Sequence, residues 1–259
     1  GLLEIAMPSV HRLAAAALVA AFSLSPALAH ASDEDRLVLG AGALAYRSPF
    51  EGEGVSVFPI PILVARRGAF YVDGLEAGAT WRLGADGNLG VSVDAFVAAG
   101  ALPGENREQV TANAGVRASW AGSAGTVSID YRRDITAEFE GGEATARYEI
   151  TVPVGGVTLT PGVQLAWQDR ATANHMYGVS AEQRREMIED GVTTPLPVFE
   201  VREGGVNVGA DLTILWPVTD RIVVIAQVSG ACLGESAREN PGLRDDFEVQ
   251  TLIGFGYSF

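Results

Sequence analysis

The chain is short of the residues that usually build catalytic and metal centres. One cysteine, Cys232, excludes an internal disulfide and any multi-cysteine metal site. The three histidines, His11, His30 and His175, form no His-x-x-x-His pair, and no EF-hand loop is present. No metal-ligating, cofactor-binding or catalytic residue is therefore expected. Positive charge is scarce too: 18 Lys and Arg stand against 32 Asp and Glu, a formal charge of −14. A phosphate backbone repels such a chain, which argues against a nucleic-acid partner. Beyond residue 24 no apolar run is long enough to cross a bilayer as a helix.

The first 31 residues read as an export leader. Met7 is taken as the start, after upstream residues 1–6; His11 and Arg12 precede the apolar run Leu13–Leu24. "SPALAHA" offers small-residue cleavage after Ala29 or Ala31, as in a secretory signal peptide. Export without a spanning helix leaves the periplasm, the outside or the outer membrane. Residues 32–259 are expected to form a single domain.

What the chain has in quantity is alternation with period two. Val110, Ala112, Ala114, Val116, Ala118 and Trp120 alternate with Gln109, Thr111, Asn113, Gly115, Arg117 and Ser119. Such alternation puts one class of side chain on each face of a sheet. Twelve strands are predicted, at 37–46, 55–64, 66–72, 75–83, 89–99, 108–120, 125–137, 143–152, 157–169, 205–216, 221–232 and 246–259. Most reach about ten residues, the length a tilted strand needs to cross a bilayer. Tight turns ("GADGN", "AGSAG", "PVGG", "PVTD") alternate with longer links, as in an outer-membrane barrel. Trp81, Trp120 and Trp216 sit near short turns and Trp167 before the longest loop, where an interfacial aromatic girdle belongs. The fold class is therefore all-β: a transmembrane antiparallel barrel of about twelve strands, with one short helix in a long outer loop.

With the apolar face toward lipid, Arg82, Asp94, Arg117, Asp130, Arg132, Asp134, Arg147 and Glu149 should point into the lumen and pair across strands. The lumen is then either a water-filled pore or a narrow one tied shut by ion pairs. Twelve strands enclose less space than the roughly 16–18 of a general porin, which favours the narrow form. Glu51, Glu53, Glu138, Glu140 and Glu143 read as a solvated acidic rim. In the loop 170–204, "SAEQRREMIEDG" predicts a helix with Ser180 as N-cap, Gln183 completing a capping box and Gly191 as its stop. That loop folds into the barrel mouth, presents a partner surface, or is a solvated lid with no chemistry of its own. A Ser–His lipid hydrolase would depend on His175 with Ser180, in a segment without a G-x-S-x-G turn.

Four segments together resemble a known family. They are Phe58-Pro59-Ile60-Pro61, Gly68-Ala69-Phe70-Tyr71-Val72-Asp73-Gly74, Met176-Tyr177-Gly178-Val179-Ser180 and the closing Gly256-Tyr257-Ser258-Phe259. The chain resembles the MipA/OmpV family, MltA-interacting proteins of the Gram-negative outer membrane. It departs from the family pattern at Met176 and at Glu239-Asn240-Pro241. The resemblance implies a non-enzymatic barrel, surrounded by outer-membrane lipids, that links a lytic murein transglycosylase to a murein synthase. It implies no catalytic residues. The alternatives are a small channel for cationic solutes and, more remotely, the lipid hydrolase. The final strand, ending on Phe259, also resembles the signal by which the barrel-assembly machinery recognises its substrates.

Overall fold

A computed structural model describes residues 35–84, 90–102 and 109–259. The expected leader lies outside the described residues. Strand β1 (Arg36–Arg47) pairs with β2 (Val55–Arg67) on one edge and with β13 (Phe247–Ser258) on the other. Between them run β3 (Phe70–Asp73), β4 (Glu76–Leu83), β5 (Val91–Leu102), β6 (Gln109–Gly122), β7 (Gly125–Asp134), β8 (Gly142–Glu149), β9 (Val152–Val154), β10 (Val157–Gln168), β11 (Gly205–Pro217) and β12 (Ile222–Cys232). All pairings are antiparallel, and the β10–β11 pair completes the ring.

Strands β8 and β9 form one course of the wall, because the register against β10 is unchanged across the break. Ile150 donates to the Pro161 carbonyl at 3.1 Å, but Pro161 has no N–H to return, so the ladder lapses there. Counted this way the barrel has twelve wall strands, as the alternation predicts. The start of β1 and the end of β13 lie on the short-turn side. The last strand cannot fray: β12 and β1 flank it, Ser258 donates to Arg221 and Phe259 donates to Leu37. Ile253, Phe255, Tyr257 and Phe259 face outward and Gly254, Gly256 and Ser258 inward, in line with the alternation.

The third strand differs from the expectation at 66–72. It has four residues and returns at Gly74, which has a positive φ, so the β3–β4 hairpin covers only part of the wall's height. The Leu63 carbonyl accepts from Gly74 at 2.8 Å, so odd-numbered residues of β2 turn their backbone polar groups toward β3. Among the described residues no strand pairs with Val55–Leu63 on that edge. Pro59 and Pro61 share the parity of Leu63, so their ring nitrogens occupy the open edge. Proline removes the donors by which a foreign strand would attach. Replacing both by alanine restores two donors. The expected result is self-association of the purified barrel, seen by light scattering; a variant that stays monomeric would contradict this role.

The outer loops fold over the mouth. Helix α1 (Arg170–Tyr177) starts at Asp169, whose side chain accepts from the Thr172 amide. Helix α2 (Ala181–Glu189) carries the predicted capping box between Ser180 and Gln183. A short helix α3 (Glu235–Arg238) lies in the β12–β13 loop. These loops have their own apolar cores. Ala173, Tyr177, Val201, Leu233 and Ala237 form one, and Phe50, Val179, Met187 and Leu196 form the other, with Leu243 touching both. The long loop thus packs over the barrel mouth.

Candidate functional site in the barrel lumen

The chain has no lysine, so every basic side chain is an arginine. The planar guanidinium can grip a carboxylate with two parallel hydrogen bonds, and the lumen uses this twice. Arg117 on β6 holds Glu76 on β4 through two contacts of 2.9 Å, reaching across β5. It also lies over the Phe96 ring, 4.8 Å from the centroid, and near Asp94 and Asp130. Gly115 makes room, since a Cβ there would meet Phe96 at 2.5 Å. Tyr71 donates to the same Glu76 at 2.7 Å. Arg147 on β8 holds Asp211 on β11 at 2.6 and 2.8 Å, reaching across β10, and Glu149 at 3.0 Å. The strand between is kept clear by Gly162, whose Cβ would fall 2.7 Å from an Arg147 nitrogen. Arg132 pairs with Glu143 directly opposite on β8.

The predicted lumen charges are therefore largely brought together, with two corrections. Arg82 keeps the inward parity of Glu76 and lies exposed at the short-turn end of β4. Asp134 faces the mouth and joins no ion pair among those described; its carboxylate accepts from Thr136, Phe139 and Glu140 and shapes the 135–141 loop. Glu143 is no rim residue, being buried against Arg132. Two partners were missed. Asp211 and Glu76 lie on strands whose neighbours carry no obvious mate, because each bridge skips a strand.

The opposite wall is apolar inside as well as out. Val38, Leu44, Ile62, Val64, Leu215, Val223, Ile225 and Leu252 project inward from five neighbouring strands and pack together, with Phe58 and Ile60 against them. A side chain facing a water-filled pore keeps accessible surface. Leu44 and Ile225 keep 0% and Leu252 keeps 1%. Thr213 on the same wall, and Thr160 and Glu149 on the next strands, are also buried. At this level the barrel is filled.

Above the filled layer lies a cavity of ≈ 350 Å³, roofed by Phe139, His175, Met176 and Tyr177. The His175 and Phe139 rings stack at 4.2 Å. Tyr177 anchors the roof: Asn207 donates to its hydroxyl at 3.0 Å, and Asn240 donates to its carbonyl at 2.7 Å. Burial pushes the Tyr177 phenol well above its ordinary pKa, so it stays neutral. Asn207 also accepts from Gly234, and Gln168 donates to Glu143, tying the roof to the ion lattice. Asn240→Ala removes a buried donor, which typically costs about 1–3 kcal/mol. Faster proteolysis of the 170–204 loop is expected while the barrel remains intact; unchanged cleavage would contradict the anchoring role.

The residues considered for hydrolysis are otherwise engaged. Ser180 Oγ accepts from the Gln183 amide as a helix cap, and His175 stacks on Phe139. Among the described residues no group of three or more His, Cys, Asp and Glu could hold a metal ion.

A family model described as MltA-interacting protein MipA matches residues 39–259. Curated proteins return no match. Among solved structures, the NanC porin is 11% identical over 85% of this chain and 98% of its own, with a TM-score of 0.41. A loop-deleted OmpT from Vibrio cholerae is 8% identical over 86% and 98%, with a TM-score of 0.34. The N-terminal barrel domain of Pseudomonas aeruginosa OprF is 12% identical over 65% and 96%, with a TM-score of 0.28. With the family match spanning nearly the whole barrel, this outer-membrane β-barrel belongs to the MipA family of MltA-interacting proteins.

Proposed function

We propose that the protein is a non-conducting, non-catalytic scaffold of the outer membrane. In this reading it fastens a lytic murein transglycosylase, and with it a murein synthase, beneath the membrane. The filled lumen carries the reading: a barrel packed with Leu44, Ile225 and Leu252 at its middle has no aqueous path to offer a solute. The family description, which names an interaction with MltA, supplies the partner class. No comparable observation supports the small cationic channel or the His175 hydrolase. The final strand with Phe259 is taken as the segment that the barrel-assembly machinery engages.

Among the described residues the periplasmic face consists of short turns, so contact falls on their exposed tips, including Val154 and Val218. Amine-reactive cross-linkers find no lysine on this chain. A photo-activated residue at 155, 156, 219 or 220 is the suitable probe in living cells. The expected product is an adduct with a murein transglycosylase or synthase. No such adduct from any turn, with labelling at the outer loops intact, would overturn the scaffold reading.

A further inference from the structure

The arginine lattice lines only one side of the roofed cavity. Facing it, β12, β13 and β1 turn Gln227, Ser229, Gln250, Glu248 and Tyr46 inward. Ser229 lies directly opposite Gln250, which lies directly opposite Tyr46. Same-face neighbours along a strand are about 7 Å apart, so Gln227 and Glu248 flank Gln250 within the span of one small molecule.

Two acceptors on this wall lack donors. The side-chain oxygens of Gln227 and Gln250 are buried and accept no hydrogen bond. Gln227 as a whole is only 7% exposed. Glu248 accepts from Tyr46 at 3.4 Å, near the limit of a hydrogen bond, and joins no ion pair among the described residues. The cavity's arginines are committed elsewhere, Arg117 to Glu76, Arg132 to Glu143 and Arg147 to Asp211. Four acids, Asp130, Glu143, Asp211 and Glu248, stand against those three arginines in the lining. With Arg117 committed to Glu76 outside the lining, Asp130 shares it only at 3.9 Å, and Glu248, with no ion pair among the described residues, lies beside the two oxygens without donors. Buried acceptors ordinarily have partners, so this cluster calls for a group rich in N–H.

We propose that the cavity binds a small organic ammonium compound, its –NH₃⁺ group donating to Gln227, Gln250 and Glu248. An ammonium carries three donors and no acceptor, matching three acceptors on neighbouring strands. A volume of ≈ 350 Å³ suits an amino sugar or a short diamine and excludes a folded peptide. The stacked rings of His175 and Phe139 close the space above it. The site goes beyond the scaffold reading and is independent of it, since a barrel that conducts nothing can still hold a ligand.

Calorimetric titration of the refolded full chain in detergent tests the site, with glucosamine and 1,4-diaminobutane as probes. Glucose and 1,4-butanediol serve as matched molecules without the ammonium. Saturable binding of at least one amine is expected, at least tenfold tighter than its neutral counterpart. Glu248→Gln and Gln227→Leu should each weaken it tenfold or more while retaining the heat-modifiable mobility of a folded barrel. Should Glu248→Gln not fold, Gln227→Leu alone carries the comparison. The proposal is overturned if neither amine binds, if the neutral counterparts bind equally, or if folded variants bind like the wild type.

Discussion

Arg147→Met is expected to destabilise the barrel by about 3–5 kcal/mol, the usual consequence of removing one member of a buried ion pair. The reason lies less in the lost attraction than in what stays behind. Asp211 and Glu149 are both nearly inaccessible, and the arginine gives each of them a hydrogen bond. Without it two carboxylates share a water-poor space, close together and of like sign. Urea unfolding in detergent should show a lowered midpoint with an unchanged slope. Adding Asp211→Leu should recover part of the loss, because one orphaned charge goes and Glu149 remains. Equal stability of Arg147→Met and the wild type would show that water from the cavity solvates the two carboxylates freely, contrary to their burial.

Gly40→Ala is the second large effect expected, and it acts on the seam where the barrel closes. Gly40 faces Gly256, and Gly42 faces Gly254, on the inner surface of the β1–β13 pair. A Cβ on Gly40 would lie 1.9 Å from the Phe255 carbonyl oxygen. That neighbour is backbone, so no side-chain rotation relieves the overlap. The strands must part, and the cost should exceed the roughly 1–3 kcal/mol typical of an overpacked core. The glycines also admit the filling layer: a Cβ on Gly254 would meet Ile62 at 2.4 Å, and one on Gly256 would meet Val38 at 2.5 Å. Gly54→Ala is the control, since nothing lies within 4 Å of its added Cβ. Loss of the heat-modifiable folded band for Gly40→Ala, but not for Gly54→Ala, is expected on gels. A normally folding Gly40→Ala would mean that the seam is not close-packed.

Much of this architecture is legible in the sequence because a wall between lipid and a polar interior writes itself as alternation. Strands β6, β7 and β11 show it cleanly, and their limits fall within a few residues of those expected. The capping box of α2 is equally plain, being a local signal. Alternation disappears where both faces are apolar, as in "VFPIPILVA" on β2, so the filling of the lumen by Ile62 and Val64 left no periodic trace. Helix α1 went unseen because "RATANHMY" lacks an apolar stripe; Asp169 as cap and the roof's apolar core establish it. The partners of Arg117 and Arg147 were hidden for a geometric reason. Register relates adjacent strands, whereas Glu76 and Asp211 are each two courses away.

The central claim is that the lumen is filled, and single-channel recording of the refolded protein in a planar bilayer tests it most directly. The wild type should give no steady conductance at any voltage. The triple variant Leu44→Ala, Ile225→Ala, Leu252→Ala, which empties the middle of the filled layer, should give discrete current steps. Reproducible steps from the wild type, of the same size in every preparation, would contradict the account.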